Sequence, residues 1–530
     1  MYDWSIHHAT IIDGTGAPAF QSDIGIAGDQ IVRVGAISPE ESRQAIFADG
    51  CVAAPGFIDV HSHYDCGIFA DSALESVLSQ GVTTVISGQC GDSRAPLRTC
   101  MVEEFARDSA AGAAGADVPY NWRSFGEFLD VVDGMKLGVN MGSLVGHSTV
   151  RRCVLGTENR APGAAELAQM RDLVAGALED GALGFSTGLV YLPGMFAKTD
   201  ELTELCRALA PFSAPYMSHI RSESTNLLEA VDEAIAIAQA AGVPCHIAHH
   251  KALGRSNWGK IDQSLARIDA ARAQGMDVTV DLYPYVLSTS AMRNLLPDWA
   301  MEGGIQAMAG RLSDPVLYRR ILREIETGSG INNIWRDAGG AAGVFAMDMQ
   351  RTPRYNGKNM LEAAELSGKT PLETALDLIR ENAGMDTACY ATGCEENIRK
   401  VMRKPYSMIG SDAVPCAPGA LCNPRVNGTF PRVLGKYVRE EKVLSLESAI
   451  HKMSGAAAER LHLAGKGRIA ANMDADLVIF DPETVRDKAT TKNPLAKPEG
   501  IRWVFVLGQA AVKDGVCTGV RAGRSVRRKN

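Results

Sequence analysis

Several features are missing from this sequence, and each absence removes a class of function. No run approaches the roughly 18 consecutive apolar residues that a membrane span needs, so no membrane partner is expected. The opening stretch MYDWSIHHATIIDG lacks a basic segment followed by an apolar one. It does not read as an export leader, and the expected compartment is the cytoplasm. No GxGxxG or GxxxxGKS/T stands between a strand and a helix, which leaves a nucleotide-binding fold without support. Positive charge is not in excess: 54 Lys and Arg face 62 Asp and Glu, for a net charge of −8. A mildly acidic chain lacks the electrostatic footprint of a nucleic-acid binder. The 12 cysteines are scattered singly and do not look like a disulfide framework; most are expected to be small buried hydrophobes in a reducing compartment.

What is present suits a large globular enzyme. The chain has 530 residues, 46% hydrophobic and 22% charged, with ample material for a buried core. Short alternating runs fill the first 50 residues, SIHHATII, QSDIGIAG and QIVRVGAI, as in a small antiparallel sheet. The same texture returns in KGRIAANMDADLVIFDP and GIRWVFVLGQAAVKDGVCTG. In between, apolar runs such as GVTTVIS, YMSHI and MDVTVDLY alternate with amphipathic stretches that end at glycine, LLEAVDEAIAIAQAAG and QSLARIDAARAQG. Repeated strand–helix units imply a parallel sheet. The expected fold class is α/β: a (β/α)8 TIM-like barrel over residues 55–464, with a doubly wound open sheet as the structural alternative. Residues 1–54 and 465–530 are expected to pair as one small β-sandwich domain. The rhythm breaks near 287–347, which reads as an inserted lid over the barrel mouth. The basic tail from Arg521 to Asn530 is expected to be solvated.

Histidine is scarce, 11 in all, and several sit at strand ends. His61 and His63 follow the apolar run APGFIDV. Residues i and i+2 of a strand share a face, so both imidazoles can converge on one metal ion. Cys90 ends GVTTVISGQC, His219 ends APYMSH, His249 and His250 end VPCHIAHH with Lys251 next, and Asp412 ends SMIGSD. Each lies where an apolar strand gives way to a polar loop, and in a barrel that is the face where loops assemble active sites. Such a set argues for a metal centre over scattered core residues. Either His249 or His250 can be the ligand on this reasoning. His7, His8, His451 and His462 lie outside the strand-end set and read as structural or surface residues.

The blocks PGFIDVHSHYD, GVTTVISGQCG, SHIRSES, HHK and GSDAVP resemble the amidohydrolase superfamily. With STGLVYLPGMFAKTDEL, NPRVNGTFPRVLGKYVRE and DADLVIFDPETVRDKATTKNP, the chain more narrowly resembles the N-acyl-D-amino-acid deacylases over nearly its whole length. The resemblance implies zinc: a tighter position held by Cys90, His219 and His249, and a second, weaker one to which His61 and His63 contribute. It favours His249 over His250. Many amidohydrolases bridge two metals with a carboxylated lysine; here Cys90 stands at the equivalent place. Thiolate, imidazole and carboxylate donors suit zinc. The resemblance also makes Asp412 the general base and then the general acid. Tyr191, Lys251, Tyr283 and Arg425 match substrate-contact positions, with Arg425, Lys251 and Tyr191 on the substrate α-carboxylate. The plainer reading is rim packing for the tyrosines and barrel-top ion pairs for Lys251 and Arg425. His147, in the family-like block SLVGHSTVR, is given no role.

The chain departs from the family pattern at Val190, Thr289, Ala413 and Asn423, positions that bear on fine specificity rather than on the chemistry. The implied reaction is hydrolysis of an N-acyl-D-amino acid, a small-molecule substrate, to a carboxylate and a free D-amino acid. A cyclic-amide or dipeptide hydrolase of the same superfamily is the second enzyme reading. A non-catalytic scaffold on the same barrel is the third, opposed by the retention of Asp412 and every metal-ligand type.

Overall fold

The computed structural model describes residues 1–103, 105, 118–328, 333–384, 386–415, 421–491 and 493–529. Its centre is a succession of short parallel strands, each hydrogen-bonded to the next in chain order. They are Phe57–Asp59, Val82–Ser87, Asn140–Ser143 continued by Val145–Gly146, Phe185–Gly188, Tyr216–His219, Cys245–Ile247, Val278–Leu282 and Ser407–Ile409. Asp412 N donates to His61 O at 2.8 Å and His63 N to Ala413 O at 2.9 Å, which joins the end of the last strand to the end of the first. Ser62 and Ala413 form a parallel bridge there. The strands are buried throughout, as a parallel sheet covered by helices requires.

The helices are amphipathic with their apolar stripe turned inward. In Leu227–Ala241, Leu227, Ala230, Val231, Ala234, Ile237, Ala238 and Ala241 are buried, a spacing of three and four that puts them on one face. Gly242 ends this helix in the left-handed region at φ 71°, where a side chain would be strained.

The two chain ends share one ten-stranded sheet. The long strand Tyr2–Ile11 changes register between Ile6 and Ala9. Its first half pairs with Ser42–Phe47 and its second with Val52–Pro55, both parallel. The sheet is therefore mixed, not antiparallel as its alternating runs suggest, because one long strand serves two partners along one edge. Trp4 meets Trp503 and Phe505 at ring-centroid distances of 5.8 and 5.2 Å, although three strand steps separate them in the sheet. The sheet thus folds over a core of its own, including Ile6, Ile24, Ile46, Leu477 and Phe505.

Two expectations need revision. The break in the barrel rhythm extends well beyond residue 347. An antiparallel sheet of Ser288–Ala291, Val344–Met349 and Asp386–Tyr390 closes over a separate core from Met292 to Tyr390. Helices Met360–Ser367 and Pro371–Asn382 within it are amphipathic like those that cover the parallel strands, so periodicity cannot say which core they face. The basic tail is docked rather than free, although Arg521, Arg524 and Lys529 stay exposed. Ser525–Val526 pairs with Asn140–Ser143, and Arg527 lies 2.6 Å from Asp130 and 3.0 Å from Asp133. A free strand edge and two acids capture it, neither of which the tail's own composition reveals. Among the described residues, no helix is long and apolar enough to cross a membrane.

Candidate active site and metal centre

The strand ends converge at one face of the ring. Cys90 Sγ lies 3.5 Å from His61 Nε2, 3.5 Å from His219 Nδ1 and 3.6 Å from His249 Nε2. Asp412 Oδ1 lies 3.2 Å from His63 Nε2 and 3.5 Å from His61 Nε2. Ligand atoms of His61, Cys90, His249 and Asp412 all fall within 4.8 Å of one another. One thiol, several imidazoles and a carboxylate around one point are a donor set that fits zinc.

The backbone is bent to aim these groups. Cys90, His249 and Asp412 all have positive φ, 54°, 34° and 48°, which non-glycine residues rarely adopt and which concentrates at functional sites. The turn at Cys90 is held from three sides. Gly91 N donates to Ser186 Oγ at 3.0 Å, Ser186 Oγ donates to Gly88 O at 2.6 Å, and Ser148 N donates to Gly91 O at 2.8 Å. Gly91 itself, at φ 78°, packs so closely that a Cβ would lie 2.7 Å from Gly188 N.

The electrostatics of the cluster separate charge. Burial opposes the Cys90 thiolate, but His61 and hydrogen bonds from His219 and His249 outweigh it and hold the thiol well below its ordinary range. Burial opposes charge on His63 and His249 too. Asp412 and Cys90 raise His63 to about 10, and Glu223 and Cys90 raise His249 to about 9. Burial and His249 together push His219 down. Asp412 is held well below the usual carboxylate range by Arg425 and His63 against the cost of burial. A cation entering the cluster replaces protons on these ligands.

Two buried acids that the sequence reading passed over support the ligands. Asp281 Oδ2 accepts from His61 Nδ1 at 3.1 Å and from His246 Nε2 at 2.8 Å, while Oδ1 accepts from His249 N at 2.8 Å. Glu223 Oε1 lies 2.9 Å from His249 Nδ1, and Lys251 Nζ donates to the same oxygen at 2.6 Å. The available signals were small: Glu223 follows His219 by four residues, and Asp281 precedes Tyr283 by two.

The remaining site candidates divide. Tyr191 sets its ring edge-on to His219, centroids 5.0 Å apart. Tyr283 lies between two cations, 5.2 Å from Lys251 Nζ and 4.5 Å from the Arg425 guanidinium carbon. Arg425 is buried with Nη1 3.0 Å from Asp412 Oδ2. His250 turns away, 2.9 Å from Ser264 Oγ, and burial pushes it down to about 4. The structure thus brings His249, not His250, to Cys90. His147 is buried against Glu201 at 3.0 Å, away from the cluster, and His7, His8 and His451 bond Ser5, Asp49 and Gly14 O. Asn423 Nδ2 donates to Thr289 Oγ1 at 2.9 Å, so two of the departures from the family pattern touch each other. Cys422 beside them is disulfide-bonded, which the scattered cysteine spacing does not suggest.

Comparison with known proteins places this geometry. The profile of the amidohydrolase family matches residues 44–518. A D-aminoacylase from Alcaligenes xylosoxydans xylosoxydans is 34% identical over 527 residues, covering 99% of this chain and 98% of that protein. An N-acyl-D-glutamate deacylase from the same organism is 34% identical over 526 residues, covering 99% of this chain and 96% of that one. The crystal structure of N-acyl-D-glutamate deacylase from Bordetella bronchiseptica, complexed with zinc and a phosphonate mimic of the reaction's tetrahedral intermediate, matches at a TM-score of 0.83 and 32% identity over 99% of both chains. A D-aminoacylase structure concerned with its binuclear metal centre matches at 0.82 and 32% over 100% of both. The chain belongs to the amidohydrolase family, among the N-acyl-D-amino-acid deacylases.

Proposed function

We propose that this protein hydrolyses the amide bond of N-acyl-D-amino acids with zinc, releasing a carboxylate and a free D-amino acid. The observation that carries the reading is the convergence of His61, His219 and His249 on Cys90 Sγ, with Asp412 alongside. The D configuration rests on relatives named as D-aminoacylase, N-acyl-D-glutamate deacylase and N-acyl-D-aspartate deacylase.

Cys90, His219 and His249 hold the tighter zinc, and His61 and His63 contribute to a second, weaker position. Supporting this ranking, Cys90 touches three imidazoles, whereas His63 is more exposed and faces Asp412. Zinc bound there supplies the lowered pKa of a water and the polarisation of the scissile carbonyl. The chain's own residues move the protons. Asp412 presents Oδ1 to His61 and His63 and Oδ2 to Arg425, so its carboxylate spans the ligand cluster and the guanidinium. It takes a proton from the attacking water, whose oxygen ends on the acyl carbon, and delivers it to the leaving amine.

Arg425 receives the substrate α-carboxylate. Its Nη1 is close to Asp412 but misaligned, and neither Nε nor Nη1 has a hydrogen-bond partner among the described residues. Buried donors left this way suit an arriving carboxylate. Tyr191 and Tyr283 wall the same space, and Lys251 reaches it only by sharing its ammonium with Glu223.

We read the ring of strands as a (β/α)8 barrel over residues 55–464, supported by the parallel order and the bonds from Asp412 and His63 back to the first strand. The shared sheet supports residues 1–54 and 465–530 as one small β-sandwich domain. The separate core from Met292 onward supports an inserted lid. Eight free cysteines among the described residues support a cytoplasmic location, with the Cys422 disulfide as the exception. A substrate panel tests the activity: N-acetyl-D-amino acids should release amine, whereas cyclic amides and dipeptides should not. Preferred turnover of a cyclic amide would move the protein to another branch of the family.

A further inference from the structure

Glu223 is buried, carries no assigned role, and faces two of the histidines around Cys90, His249 and His219, whose ring centroids lie 4.3 Å apart. Its Oε1 lies 2.9 Å from His249 Nδ1 and its Oε2 lies 3.7 Å from His219 Nε2. The other nitrogen of each ring faces Cys90 Sγ: Nε2 of His249 at 3.6 Å and Nδ1 of His219 at 3.5 Å. The two rings thus present opposite nitrogens to the sulfur and opposite nitrogens to one carboxylate. We propose that Glu223 is a positioning residue that fixes the tautomer and orientation of both His249 and His219 for metal binding. The inference rests on the metal-dependent reading above.

A neutral imidazole that gives a lone pair to a cation through one nitrogen must carry its proton on the other. For His249 that proton sits on Nδ1, and two groups compete there. Lys251 Nζ lies 2.9 Å from Nδ1, and Glu223 Oε1 lies at the same distance. If Lys251 donated to Nδ1, the proton of His249 would sit on Nε2, pointing at Cys90, and the ring would be lost as a ligand. Glu223 prevents this in two ways: it accepts from Nδ1, and it draws the ammonium to itself at 2.6 Å. The backbone that carries Glu223 is pinned beside Lys251, since Leu253 N donates to the Glu223 main-chain carbonyl at 2.7 Å. His219, Glu223 and His249 also bring ligand atoms within 4.8 Å of one another, so a direct ligand role is the rival. The ammonium already on Oε1 argues against it.

The test is a zinc titration of the full-length, chelator-stripped protein against a competing indicator, with cobalt absorption spectra at saturation. Glu223→Gln keeps the shape but lets Lys251 turn to His249, so the zinc dissociation constant should rise about 10–100-fold. The saturated cobalt spectrum should match that of the wild type, because the ligands are the same. Adding Lys251→Met to Glu223→Gln should recover much of the affinity, which a merely structural role would not do. A zinc constant within about threefold of wild type in Glu223→Gln, well short of that range, would overturn the proposal. So would an altered cobalt spectrum at saturation, which would make Glu223 a ligand. If Glu223→Gln does not fold, Lys251→Met alone decides: zinc affinity should hold or tighten, and a tenfold loss would refute the competition. Wild-type protein that binds no zinc would overturn the metal-dependent reading itself. Wild-type zinc binding with no deacylase activity would leave this inference standing.

Discussion

Arg425 Nη1 lies 3.0 Å from Asp412 Oδ2, a buried guanidinium meeting a partly exposed carboxylate beside the cluster of histidines and Cys90. On the function proposed above, the pair ties the group assigned to proton transfer to the group assigned to the substrate. Arg425 holds Asp412 well below the usual carboxylate range, while its own Nε has no hydrogen-bond partner among the described residues. On that reading, an arriving α-carboxylate would compete with Asp412 for the guanidinium and free the Asp412 carboxylate as the substrate settles.

Arg425→Lys keeps the charge but loses the planar fork that can grip a carboxylate with two parallel hydrogen bonds. Losing a charge-assisted bond costs on the order of 1.5–3 kcal/mol, or about ten- to a hundredfold in kcat/KM. A substrate whose α-carboxylate is blocked as an amide gives the diagnostic. The wild type should reject it strongly, and the Lys variant much less. Equal discrimination by both would detach Arg425 from substrate recognition.

Asp412→Asn preserves shape and cannot accept a proton at neutral pH. Turnover should fall about 10²–10⁴-fold or more, with zinc retained at Cys90. Near-normal turnover in this variant would move the proton transfer elsewhere.

Cys90→Ala should strip zinc from the protein, whereas the same change at Cys153 or Cys206 should not. Cys153 and Cys206 are equally buried, but Cys153 contacts Pro96 O and Met101 rather than imidazoles, and burial raises the Cys206 thiol well above its ordinary range. Metal analysis of the three purified variants settles the comparison, and unchanged zinc in Cys90→Ala removes it from the site.

The ligands were legible because the chemistry needs scarce residue types at a particular place, the ends of apolar strands. Eleven histidines in 530 residues make a strand-end set conspicuous. Glu223 and Asp281 were not legible, since acids are common and normally solvated; only the fold shows that each faces an imidazole. His249 could not be separated from His250 by position alone, and the structure separates them because His249 at φ 34° points inward while His250 bonds Ser264. The extent of the insertion and the docking of the tail depend on which core a helix faces and which strand edge is free, and neither is written in local periodicity.

Lys452 offers a pH test away from the active site. Buried beneath the strand Ser407–Ile409, it donates to Ser407 O at 3.2 Å and Ser407 Oγ at 3.0 Å with no acid as partner among the described residues, and burial pushes it down to about 8. The unfolded chain, with an ordinary lysine near 10.5, then binds more protons than the folded one between those values. Stability must therefore rise with pH through that window, and the penalty is fully present below pH 8. On the order of 3 kcal/mol is at stake. Urea midpoints at pH 7 and pH 10 should show wild type gaining on Lys452→Met. A difference that stays constant would mean that the hydrogen bonds offset the burial.

The most direct measurement of the central claim is amine release from N-acetyl-D-methionine and from its L enantiomer by the zinc-loaded protein, repeated after chelation and after zinc is returned. The account predicts rapid release from the D form, little from the L form, loss of activity with the chelator and recovery with zinc. Equal rates for the two enantiomers, or D-specific release that survives complete removal of zinc, would contradict it.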